Sequence, residues 1–275
     1  MPPRNAGSGR AVTDLPYSQL AAAWLVCSLG FTALWWHQRR TANANAVDVG
    51  WAIAIGTLAA MYALLGTASV PMRALVGVLP ALWAMRLARH IHQRSGHAME
   101  DSRYRYLRAH WSERTQAKFF VFYQFQSLAA VLFSLPFFVL ANQPGTLQPG
   151  QWLPAMAIWV IAVTGEALAD RQLAEWRSQP AKAGLTCRAG LWRVSRHPNY
   201  FFEWLHWCSY VPLGLCTAAW WVPLATQALM LLTLLHGTGI PHAERQAVLK
   251  RGDDYRDYQA TTNAFFPWFP KSRPR

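Results

Sequence analysis

Steps of four and seven residues separate Glu166, Asp170 and Arg177 in the stretch GEALADRQLAEWRSQP, residues 165–180. On a helix such steps bring all three to one face. A carboxylate as far inside an apolar segment as Glu166 is costly in lipid, so it is expected to face a polar cavity or a partner. A second stretch, GLWRVSRHPNYFFEW at 190–204, sets Arg193, Arg196 and His197 just ahead of Pro198, a residue suited to the first turn of a helix. Asn199 and Tyr200 follow, and Glu203 stands one turn inside. Helix N-termini with nearby arginines attract phosphate. Lipid headgroups use the same groups, but they do not call for an amide and a carboxylate one turn apart. The third stretch, HAERQAVLKRGDDYRDYQATTNAFFPWFP at 242–270, predicts an amphipathic helix over 242–251 that breaks at Gly252. A second short helix then carries Tyr255 and Tyr258, and the aromatic and proline end suits a membrane interface.

Other polar residues carry weaker signals. His90, His92 and His97 do not share a helical face at i, i+4 spacing, and Cys27, Cys187, Cys208 and Cys216 show no CxxC pattern, so no metal site or disulfide framework is expected. Asp48, Gln124 and Gln126 lie within apolar segments, where they line a cavity or join helices.

The elements that position these groups follow from composition. Hydrophobic residues make up 53% of the 275, charged residues only 14%, and there are 15 Trp. An average soluble domain is about 25% charged, so the pattern points to an all-α integral membrane protein. Seven stretches approach the roughly 20 apolar residues a crossing needs. They are 16–36, 47–65, 71–88, 119–141, 153–169, 201–219 and 220–236, the last two parted by turn signals at Pro212, Gly214 and Pro223. The first has too long an apolar core for a signal peptide, and Arg39 and Arg40 follow it, so it is read as an anchor after a disordered tail over 1–15.

Seven crossings place 23 of the 26 lysines and arginines on one side, which puts the N-terminus outside and the C-terminus in the cytoplasm. The formal charge of +13 is then explained by cytoplasmic loops beside anionic lipid, and no nucleic-acid partner is expected.

GLWRVSRHPNYFFEW, a helical hairpin and ERQAVLKRGDDYRDYQATTNAFFPWFP together resemble the C-terminal region of the steroid 5-alpha-reductase superfamily. DVGW at 48–51, LWAMRLARHI at 82–91 and EDSRY at 100–104 are similar to its bacterial branch, catalogued as domain of unknown function 1295. The resemblance implies one transmembrane domain over 16–275 in a bacterial inner membrane, with a cofactor-binding half over 165–275. It implies NADPH as the cofactor and an electron-poor carbon-carbon double bond in an apolar substrate from the bilayer. Carried over by position, the cofactor contacts are Asp170, Arg177, Arg196, His197, Asn199, Tyr200, Glu203, Arg245, Tyr255 and Tyr258.

The steroid enzymes polarise their substrate with a Gln-Glu pair in an early helix, whereas Asp48 is the only carboxylate of the second segment here. Asp48 and Tyr123 are the candidate proton donors. Isoprenylcysteine carboxyl methyltransferases share an Arg-His-Pro-x-Tyr motif, which makes S-adenosylmethionine the alternative cofactor. Their paired glutamates early in the tail helix are replaced here by Ala243, Glu244 and Arg245, and adenosylmethionine lacks the phosphates that arginines would meet. A non-catalytic membrane scaffold is the third reading.

Overall fold

The computed structural model describes residues 15–95, 99–111, 113–215, 217–237 and 239–271. His97, Cys216 and the expected tail up to residue 14 lie outside them. Among the described residues the chain is all helical, with no strand: α1 (Ser18–Thr41), α2 (Ala46–Leu65), α3 (Val70–Ser95), α4 (Ser102–His110), α5 (Thr115–Asn142), α6 (Pro149–Arg177), α7 (Pro198–Cys208), α8 (Val211–Gly214), α9 (Trp221–His236), α10 (Ile240–Arg251) and α11 (Asp253–Thr261).

Among the described residues, six helical stretches are long and apolar enough to cross a membrane. Five are α1, α2, α3, α5 and α6, and the sixth runs Trp221–Arg251 through α9 and α10. The chain is an all-α membrane protein. Arg73 and Pro80 do not interrupt α3, and the Arg73 guanidinium reaches back to the carbonyls of Ala68 and Ala63 at 3.1 and 3.3 Å. The stretch expected as a sixth crossing, 201–219, differs. It holds most of the 11-residue α7 and the four-residue α8. Pro212 has no N–H to give to the helical ladder and its ring conflicts with the carbonyl four residues back, that of Cys208, where α7 ends.

The helices gather into two compact units, one within Met1–Leu147 and Cys216–Val222, the other within Gln148–Leu215 and Pro223–Arg275. In the first, α2 packs on α3 and α5, and α1 on α5. Association between helices in lipid relies on close packing and interhelical hydrogen bonds, since lipid tails are as apolar as the side chains. Gln124 of α5 supplies such bonds: its side chain accepts from Ser28 at 2.7 Å and donates to Thr32 at 2.9 Å, both on α1.

In the second unit α6 packs along α7. Gly165 makes that approach possible, because a Cβ there would lie 2.4 Å from the ring of Phe202. The loop entering α7 is tied to α6 through Trp192 Nε1 to the Ala169 carbonyl and Leu191 N to Gln172 Oε1, both 2.9 Å. From the other end of the unit, α10 stops at Gly252, whose φ of +53° favours a residue without Cβ, and α11 turns back. The segment after α11 lies as a strap on the loop: Arg196 N donates to Asn263 O at 2.9 Å, Ser195 Oγ to Phe265 O at 2.8 Å, and Trp268 N to Val194 O at 2.9 Å.

Candidate functional site

The stretch that enters α7 is held by a buried polar cluster. Arg196 donates from Nε to Glu244 Oε1 at 2.6 Å and from Nη1 to the Gln259 carbonyl at 3.1 Å and the Thr262 carbonyl. Its side chain is only 11% exposed. His197 Nε2 meets the same Glu244 oxygen at 3.2 Å, Gln259 Nε2 donates to the other at 2.8 Å, and Tyr200 stacks on the imidazole with centroids 5.5 Å apart. Burial disfavours the imidazolium, an effect that the hydrogen bond to Glu244 only partly offsets, and the His197 pKa is held below its ordinary value. The cluster is therefore one ion pair and a neutral imidazole. Its bonds join α7, α10 and α11.

A second group lies where α6 passes α7. Asn199 Nδ2 donates to Asp170 Oδ1 at 3.4 Å, and Glu203, one turn along α7, accepts from Trp207 Nε1 at 3.2 Å. Glu166, one turn before Asp170 on α6, is buried at 4% exposure. Both Asp170 and Asn199 are partly exposed, as is Glu203. Two carboxylates and a carboxamide gathered in this way present acceptors and a donor for hydroxyl and amide groups.

The remaining expected residues fall into three environments. Arg177 is exposed at the end of α6, two turns from Asp170. Arg245 is exposed on α10 and makes no hydrogen bond or ion pair among the described residues, because its neighbour Glu244 is the one that reaches Arg196. Tyr255 and Tyr258 are buried, and Tyr258 donates its hydroxyl to the carbonyls of Ser195, at 3.1 Å, and Trp192. At the start of α11, Asp254 takes the Thr186 N–H at 2.7 Å and the Arg188 guanidinium at 2.9 Å. Partial burial raises the Asp254 carboxyl, but the Thr186 N–H and the charges of Arg188 and Arg251 outweigh it and hold it below its ordinary value.

Both candidate proton donors belong to the first unit. Asp48 accepts the Tyr104 hydroxyl at 2.7 Å and pairs with Arg103 at 2.7 Å, so DVGW and EDSRY are two halves of one contact. Tyr123 is fully buried on α5, and its hydroxyl has no hydrogen-bond partner among the described residues. Of the two, it is the one with an uncommitted proton.

Sequence reasoning missed Glu244, Gln259 and Ser195 as members of the cluster, and Tyr104 as the partner of Asp48. Glu244 and Gln259 stand 15 residues apart on two helices that only the turn at Gly252 brings together. Their signal was faint: a carboxylate in the tail helix, and a basic stretch upstream in need of a counter-ion.

Compared with known families, residues 34–262 match the one described as Protein of unknown function (DUF1295), a span that contains every residue of both groups. No curated protein and no solved structure matches the chain.

Proposed function

The chain belongs to the DUF1295 family, and from the geometry of its second unit we propose that it is a membrane-embedded reductase that uses NADPH to reduce an electron-poor carbon-carbon double bond in an apolar substrate. The observation that carries this reading is the meeting of Asp170 and Asn199 at 3.4 Å with Glu203 one turn further on. The donor set suits the dinucleotide. Asn199 and Glu203 offer a donor and an acceptor for a carboxamide, Asp170 an acceptor for a ribose hydroxyl, and the exposed Arg177 and Arg193 two cations for phosphates. When bound, NADPH supplies the hydride. Arg196 takes a different part in this reading. Its Nε and Nη1 are given to Glu244 and two carbonyls, so it holds the α7 entrance in place.

The reading includes a bacterial inner-membrane location, with the basic loops and residues 239–271 in the cytoplasm. That topology asks α7 and α8 to carry the chain across together.

The test is a thermal-shift titration of the detergent-purified protein with NADPH and with S-adenosylmethionine. Stabilisation by NADPH that vanishes in Asn199→Ala and Glu203→Gln supports the reductase. A response to adenosylmethionine alone would point to a methyltransferase, and a response to neither to a scaffold.

A further inference from the structure

The first unit holds a cavity of about 320 Å³ lined by His37, Thr41, Asn43, Asn45, Val49 and His92. It lies where α1 ends, α2 begins and α3 ends. These three helices are long and apolar enough to span a bilayer, so their ends stand at the level of the lipid headgroups.

Hydrogen-bond accounting shows what kind of group the lining can receive. Asn43 Oδ1 accepts the Asn45 N–H at 2.9 Å, and Asn45 Oδ1 accepts the Asp101 N–H at 2.8 Å. Each carboxamide has thus committed its acceptor to backbone, and neither Nδ2 donates to any described residue. The rings of His37 and His92 make no hydrogen bond among the described residues either, while the Thr41 hydroxyl donates to the His37 carbonyl at 3.0 Å. What remains is rich in N–H donors. The nearby carboxylates are already taken: Asp48 and Asp101 pair with Arg103, and Glu100 with Arg108. Arg39 and Arg40 in the last turn of α1 and Arg94 in that of α3 are all exposed and add positive charge.

We propose that this cavity binds the phosphate of an anionic phospholipid headgroup. Carboxamide and imidazole N–H groups beside three exposed arginines suit an anion, and basic pockets between helix ends are suited to lipid phosphates. A lipid is favoured over a soluble phosphate by the place of the cavity at the ends of three spans. Val49 within it and Trp36 beside it, 46% exposed, offer apolar surface to the glycerol and upper acyl chain. The inference does not depend on the reductase reading.

Native mass spectrometry of the purified protein titrated with dioleoylphosphatidylglycerol and with dioleoylphosphatidylcholine tests it. The decisive variant is Asn43→Asp, which keeps the oxygen that receives the Asn45 N–H and replaces the free donor with a charged acceptor. His92→Glu, at an exposed position, replaces a donor with a charged acceptor and serves as the second variant should the first fail to fold. The wild type is expected to retain phosphatidylglycerol in preference to phosphatidylcholine, and Asn43→Asp to weaken that binding by about tenfold or more. Equal retention of the two lipids, or variants that bind phosphatidylglycerol like the wild type, overturns the site. Inorganic phosphate that stabilises the wild type in a thermal-shift arm as strongly as phosphatidylglycerol at equal concentration overturns the lipid assignment.

Discussion

Arg196 Nε and Glu244 Oε1 meet at 2.6 Å across 48 residues of sequence, both largely shielded from solvent. Removal of one partner strands the other charge. Arg196→Ala is therefore expected to cost about 3–5 kcal/mol of stability, because Glu244 keeps its charge without the guanidinium. Glu244→Gln leaves a hydrogen-bonding group in place and should cost less, about 1–2 kcal/mol. Denaturant unfolding in mixed micelles, followed by tryptophan fluorescence, measures both. Equal losses for the two variants would contradict the ion-pair account.

The approach of α6 to α7 rests on Gly165. Gly165→Ala should destabilise the second unit by about 1–3 kcal/mol, as the new methyl group pushes on Phe202. The same change shifts Asp170 against Asn199, so NADPH affinity should fall alongside. Phe202→Leu in the Gly165→Ala background is expected to recover part of both. A double variant no better than the single one would show that the loss has another origin.

Below neutral pH the cluster around His197 should weaken. Burial keeps the folded imidazole below its ordinary 6.5, whereas the unfolded chain takes up a proton there. Above 6.5 neither state binds that proton and the stability is fully present; as pH falls towards the depressed folded value, the unfolded state gains the advantage. The melting temperature of the wild type is expected to fall more steeply over this range than that of His197→Gln. Parallel curves would remove His197 from the account.

Arg177 and Arg196 should part ways in cofactor titrations. With Arg177 exposed and Arg196 paired to Glu244, Arg177→Ala is predicted to raise the NADPH Kd by about tenfold or more. NADH, which has one phosphate fewer, should lose less. Isothermal titration with both dinucleotides decides the matter, and an unchanged NADPH Kd would take Arg177 out of the site.

Much of this architecture is legible from periodicity alone. Steps of four and seven residues among Glu166, Asp170 and Arg177 anticipate their common helix, Pro198 marks the start of α7, and Gly252 the break between α10 and α11. Local rules account for these features. The break in the expected sixth crossing was written in Pro212, yet apolarity over 201–219 outweighed it, since hydropathy windows do not register a missing backbone donor. Partners distant in sequence are a different matter. Glu244 was hidden behind Arg245, because adjacent positions on a helix point some 100° apart and sequence gives no register against α7. Tyr258 looked like a ligand-facing tyrosine, but its hydroxyl is bound to two backbone carbonyls.

The strap over residues 262–268 ties the timing of biosynthesis to the site. Arg196, Ser195 and Val194 take their partners from carbonyls and an N–H about 70 residues downstream. On the ribosome, α6 and α7 are complete long before those partners emerge. A chain cut at residue 261 would carry Asp170, Asn199, Glu203 and Glu244, yet lose the contacts that Thr262, Asn263, Phe265 and Trp268 make with the α7 entrance.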